Sequence, residues 1–70
     1  MPDYKIGSHV RVSEAGIERI GTVIGYADRN QVLIADDELK SITDTGLVPY
    51  VWHVIPTDDL TIVPLGDDNF

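Results

Sequence analysis

Apolar and polar residues alternate along His9-Val10-Arg11-Val12, which puts Val10 and Val12 on one face and His9 and Arg11 on the other. Gly7-Ser8 reads as a turn before that strand, and Tyr4 and Ile6 suit a short edge strand ahead of it. Ser13 to Glu18 breaks the alternation and reads as a loop, with Gly16 free to take positive φ. A longer β-rich run follows, Arg19-Ile20-Gly21-Thr22-Val23-Ile24-Gly25-Tyr26, interrupted by two glycines. Glycine costs stability inside a flat strand, and it is useful where a strand bends or another backbone comes close. A bent central strand is how a very small sheet curls into a barrel. The polar stretch Ala27 to Gln31 predicts a hairpin turn into a third strand from about Gln31 to Asp36.

Residues 36–46 fit two elements. One is a short helix capped by an aspartate, with Leu39 and Ile42 on one face and Gly46 after its end. The other is a hairpin arm that turns at Asp44-Thr45-Gly46 and returns through Leu47 and Val48, and β-branched Ile42, Thr43 and Thr45 favour it. Tyr50 to Ile55 is a strand bounded by Pro49 and Pro56, neither of which donates to a ladder. Pro56 to Leu60 predicts one helical or 3₁₀ turn capped by Thr57 or Asp58. Leu60 to Val63 is the last strand, ended by Pro64, and an acidic tail follows. The expectation is an all-β, five-stranded small barrel with a 3₁₀ turn before its last strand. It forms a single domain over residues 1–70, with its core at about 6–63 and its tail at 64–70.

Seventy residues leave room for one small core, and a domain of this size buries only about 60% of its unfolded surface. No cysteine is present, so neither a disulfide nor a thiolate metal site reinforces the fold. Met1 to Lys5 lacks the basic region and apolar run of a secretory signal, and no apolar stretch approaches a membrane span, so a cytoplasmic location is expected. The net charge of −7 is unevenly placed. Residues 1–35 balance Asp3, Glu14, Glu18 and Asp28 against Lys5, Arg11, Arg19 and Arg29. Residues 36–70 set Asp36, Asp37, Glu38, Asp44, Asp58, Asp59, Asp67 and Asp68 against Lys40 alone. That half repels phosphate backbones and attracts basic partners, which disfavours nucleic acid as a ligand.

Gly7-Ser8-His9-Val10-Arg11-Val12, then Gly16, Gly21-Thr22-Val23 and Val32-Leu33-Ile34, resemble the opening of SH3-like barrels with a KOW-type pattern. Val51-Trp52-His53-Val54 and Asp59-Leu60-Thr61-Ile62-Val63 are similar to the closing strands of such barrels. The resemblance extends loosely to the small peripheral subunits of photosynthetic electron-transfer complexes, which dock soluble proteins. It implies an SH3-like small barrel and a habit of binding. The acidic balance departs from the nucleic-acid-binding members. The aromatic-rich segment of signalling SH3 domains is missing, so polyproline recognition is not carried over.

No nucleophile, phosphate-loop, metal-protease or cofactor motif occurs in the chain, so the expectation is no enzyme, no cofactor and no metal. His9 and His53 are the only imidazoles, and neither has further ligands at metal spacing. Asp36-Asp37-Glu38 and Asp58-Asp59 lack the alternation and glycine of a calcium loop, and turn and cap chemistry accounts for them. Tyr50 and Trp52 share a strand face; Tyr26 across the sheet would complete an aromatic patch flanked by Asp36, Asp37 and Glu38. Arg11, Arg19 and Arg29, if they converge, would oppose the acidic half and favour oriented docking. The expected partner-binding residues are therefore Tyr26, Tyr50, Trp52, Asp36, Asp37, Glu38, Arg19 and Arg29. The expected function is a non-enzymatic protein-interaction module, a small adaptor that docks on a larger protein or complex. The alternative is an acidic inhibitor that imitates nucleic-acid charge on a nucleic-acid-binding protein. The sequence leaves the oligomeric state open.

Overall fold

The computed structural model describes residues 4–58 and 60–65. Five antiparallel strands make one sheet: β1 (His9–Glu14), β2 (Ile17–Tyr26), β3 (Val32–Thr43), β4 (Gly46–Val54) and β5 (Ile62–Pro64). No helix occurs among the described residues. The strand order is β4-β3-β2-β1-β5, so the last strand returns beside the first, with Arg11 opposite Val63. The ladder does not close, because β4 and β5 lie at its two ends.

Period-two alternation builds the core. Val10 and Val12 of β1, Val23 of β2, Val32 and Ile34 of β3, Val54 of β4 and Ile62 of β5 are buried together, with Tyr4 and Trp52 packed against them. Side chains between these positions point to the opposite face of the sheet. Between β2 and β3 the register slips at Ile24, which bulges out of the ladder between Val23 and Gly25. Such a bulge bends and twists its strand.

The two glycines of β2 differ in role. Gly21 is buried opposite Asp36, and a Cβ there would lie 2.5 Å from the backbone oxygen of Ala35 and 2.7 Å from Ile34 Cγ2. Nothing lies within 4 Å of the corresponding position at Gly25. Only Gly21 is there because a neighbouring backbone needs the space.

The loop expected at residues 13–18 is a two-residue turn. Glu14 pairs with Ile17, and Ala15 (φ 53°) and Gly16 (φ 80°) both take left-handed conformations. Two positive φ values match the right-handed twist of a hairpin, which lets both strands run on to the turn. The edge strand expected through Tyr4 and Ile6 is replaced by a turn, in which Ser8 N–H and Oγ donate to Lys5 O at 3.1 and 2.6 Å. Residues 36–46 adopt the hairpin and not the helix. β3 continues to Thr43, and Thr43 pairs with Gly46 across a tip where Thr43 Oγ1 donates to Gly46 O at 2.9 Å.

The segment before β5 makes one turn. Thr61 N–H donates to Asp58 O at 3.2 Å and Leu60 N–H to Asp58 Oδ1 at 2.8 Å, so Asp58 is the cap. Ser13 N–H donates to Thr61 O at 2.9 Å and ties this turn to β1. Residues 66–70 of the expected tail, and Asp59, lie outside the described residues.

Gly21→Ala is expected to cost about 1–3 kcal/mol through overpacking, whereas Gly25→Ala stays within about 0.5 kcal/mol of the parent. Urea denaturation of the two variants side by side checks this. Ala15→Asn, which gives the turn its preferred dipeptide, is expected to raise stability by up to about 1 kcal/mol in the same assay.

Candidate functional site

The buried alternation of β3 runs Val32, Ile34 and then Asp36, so a carboxylate occupies the position where the next core side chain would stand. On β2 the same face carries Val23, Gly21 and Arg19, and on β4 it carries Val54 and Trp52. Three strands thereby bring Arg19, Asp36 and Trp52 to one end of the core. Asp36 is 3% exposed, and burial of an unpaired carboxylate would be prohibitive.

It is saturated with donors. Arg19 Nε reaches Asp36 Oδ2 at 2.8 Å and Arg19 Nη2 reaches Oδ1 at 2.9 Å, a bidentate pair. Trp52 Nε1 donates to Oδ2 at 2.9 Å, and the backbone N–H groups of Glu38 and Leu39 donate to Oδ1 at 2.8 Å each. The Arg19 hydrogen bonds chiefly hold the Asp36 carboxyl well below the usual carboxylate range; burial opposes them, and the Leu39, Trp52 and Glu38 donors add to them. The Arg19 guanidinium is raised in turn by its bond to Asp36.

This carboxylate organises a large bulge. Ala35 pairs with Val51 and Lys40 with Pro49, so residues 36–39 of β3 face Tyr50 alone on β4. The ladder leaves the N–H groups of Glu38 and Leu39 without partners on β4, and Asp36 accepts both. Beyond the bulge, β3 and β4 leave β2, whose last partner is Asp36, and project as a two-stranded arm over residues 40–49. The arm is rich in exposed apolar side chains. Ile42 is 86% exposed and its cross-strand partner Leu47 is 67% exposed, and Leu39, Val48 and Tyr50 are also exposed.

The expected binding residues divide. Arg19, Asp36, Trp52 and Tyr50 come together, and the Tyr50 and Trp52 rings meet edge to face at 4.8 Å between centroids. Glu38 joins them through its backbone. Asp37 turns to the other face, where Thr22 Oγ1 donates to Asp37 Oδ1 at 3.3 Å and His9 Nδ1 lies 3.9 Å from Oδ2.

Tyr26 does not join the aromatic patch. It sits seven residues along β2 from Arg19, roughly 20 Å at the rise of a strand, and exchanges hydrogen bonds with the Tyr4 backbone at 2.7 Å. Arg29 lies in the β2–β3 turn, its N–H bound to Asp28 Oδ1 at 2.8 Å. Arg11, Arg19 and Arg29 do not converge: alternation places Arg11 on the face opposite Val10 and Val12, and Arg19 is committed to Asp36. Asp36 is a core hub and not part of an acidic surface.

Sequence reading favoured the hairpin arm but left its apolar pair, Ile42 and Leu47, out of the binding residues, and it missed the Arg19–Asp36–Trp52 contact. Carrying the alternation of β2 back to Arg19 and that of β3 on to Asp36 would have put both side chains on the face that Trp52 shares in β4. Among the described residues, no group of three or more His, Asp or Glu side chains is placed to hold a metal ion. Among the described residues, no helix is long and apolar enough to cross a membrane. Compared with known protein-family models, curated proteins and solved structures, the chain finds no match.

Because the folded Asp36 titrates below its unfolded value, its contribution to stability is complete above the unfolded carboxyl pKa of about 4 and is lost as pH falls below it. Asp36→Asn is expected to cost about 1–3 kcal/mol at neutral pH, because an amide at this buried position cannot accept from all the donors that the carboxylate satisfies. The variant should also lose the steepest part of the acid dependence. Urea titrations from neutral pH down to pH 3 measure both effects.

Proposed function

We propose that this chain is a non-enzymatic protein-interaction module that docks on a larger protein or complex through the β3–β4 arm. The observation that carries the reading is the pair Ile42 and Leu47, exposed opposite each other at the end of an arm held in place at its base. An isolated two-stranded hairpin is marginally stable in water. A hairpin that keeps its apolar side chains in solvent gains most from a surface that covers them. On the opposite face of the arm, exposed Val48 and Tyr50 lead toward the Trp52 ring.

The scaffold proposed beneath the arm is an SH3-like small barrel. Two observations support it: β5 pairs with β1, and Val54 and Ile62 of the two end strands share one core cluster. The bulge at Ile24 supplies the bend such curling needs. The reading includes a cytoplasmic setting, no cofactor and no catalytic turnover. Nucleic acid is a poor partner for a surface with this charge.

The test is a comparative capture from the native host with the wild-type chain and the double variant Ile42→Ser/Leu47→Ser, at low and high salt. The double variant should fold with stability within about 1 kcal/mol of the parent, since both side chains are exposed. The expected result is one stoichiometric species held by the wild type at both salts and released by the variant. A nucleic-acid-handling enzyme retained by both chains at low salt and lost at high salt would replace this reading with charge imitation.

A further inference from the structure

The chain carries a cavity that complements its own arm. Val12, Glu14, Ala15, Ile17, Arg19 and Trp52 line a pocket of about 260 Å³ between the β1–β2 turn and the indole. Pockets that enclose drug-sized ligands run from about 300 to 1,000 Å³, so this one suits one or two aliphatic side chains better than a small-molecule ligand. Its walls are largely apolar. Arg19 is neutralised by Asp36, and Glu14 makes no ion pair among the described residues, so Glu14 is the charge left on the rim.

The arm supplies the matching piece. Ile42 pairs with Leu47 and Lys40 with Pro49, so these four side chains lie on one face of the hairpin. Lys40 is the only lysine or arginine between residues 36 and 70, and it stands on the face that presents the two apolar side chains. Backbone pairing between copies is obstructed, because Pro49 interrupts the β4 edge and Pro64 ends β5. Side-chain docking is not obstructed.

We propose that the partner of the arm is a second copy of this chain, with Ile42 and Leu47 of one copy seated in the Val12–Ile17–Trp52 cavity of the next and Lys40 meeting Glu14 on its rim. This rests on the reading above that the arm is the docking element, and it names the occupant. The contact joins two different surfaces, so a pair of copies that exchange arms closes as a dimer and an unreciprocated contact propagates. Each copy carries a net charge of −7, and the copies repel at long range. Added salt screens that repulsion, so self-association strengthens as salt rises, opposite to docking on a basic protein.

Sedimentation equilibrium from about 10 μM to about 1 mM spans affinities for such a contact. It is run at low and high salt, with the emission of Trp52, the one tryptophan, followed in parallel. The expected result is a mass that rises above the monomer with concentration, more so at high salt, with Trp52 emission moving to shorter wavelength in step. Ile42→Asp should weaken association at least about tenfold, the loss of a central apolar anchor.

Glu14→Lys should weaken it as well, and Lys40→Glu in the same chain should restore it. A mixture of Ile42→Asp and Ile17→Asp, each monomeric alone, should regain the Trp52 shift, because the first keeps a cavity and the second keeps an arm. All four substituted positions, Glu14, Ile17, Lys40 and Ile42, are exposed, so these variants fold. A monomer at every concentration and both salts overturns the proposal, as does association that Ile42→Asp leaves unchanged. In the monomer case, host capture that depends on Ile42 and Leu47 leaves the docking module standing with a different partner. Capture indifferent to them removes that reading too.

Discussion

Five donors on one buried carboxylate hold the two parts of this molecule together. Asp36 closes the end of the core, fixes Arg19 and the Trp52 indole, and caps the backbone of the bulge from which the arm leaves. A buried ion pair is weak evidence for stability, because desolvation of both charges offsets much of their attraction. Here the larger consequence is geometric. An apolar residue at position 36 would extend the core by one layer and leave the N–H groups of Glu38 and Leu39 without their acceptor. The arm would then lose its fixed direction relative to β2. The carboxylate trades some core for a defined projection.

That trade matters because the core is small. Seven buried aliphatic side chains from five strands supply it, with Trp52 and Tyr4 at its margins. A chain of this length has a total stability of roughly 4–10 kcal/mol, so a hub worth a few kcal/mol is a large share of it. Gly21 belongs to the same arrangement. Directly opposite Asp36, it leaves the space into which the Ala35 carbonyl comes close, and any side chain there would press β3 away from β2.

The alternation of Val10 and Val12, the hairpin at residues 27–31, the strand through Trp52 and the closing strand at Ile62 were legible because burial on one face imposes a period of two. Pro49, expected to bound the Trp52 strand, instead lies inside β4, whose edge position tolerates a residue without an N–H. The hub was not legible, for a related reason. Asp36-Asp37-Glu38 has the composition of a solvated turn, and the apolar run ends at Ala35, so the strand reads as finished just where its most constrained side chain begins. Arg19 is likewise indistinguishable in sequence from the solvated Arg29. Register decides these roles: the pairing of Gly21 with Asp36 brings Arg19 to the carboxylate, and the same pairing sends Tyr26 to the far end of the hairpin. The four-against-one bulge leaves no signature in spacing, and without it the length of β3 reads as a strand followed by something else.

The arm remains the part of the structure least explained by its own contacts. At its base it is held by Asp36, and at its tip by the Thr43 hydroxyl, which accepts Thr45 N–H and donates to Gly46 O. Between these points its strands bond only to each other. Ile42 and Leu47 face each other there and cover little of one another. Burying a side chain of this kind is worth about 1.5–3 kcal/mol, so solvent exposure of the pair forgoes more than the tip hydrogen bonds contribute. A polar pair at the same positions would hold the hairpin equally well in isolation and would not promote unwanted association. An apolar pair on an arm with a fixed base is economical only if another surface covers it, and the direction that Asp36 imposes determines how that surface must approach.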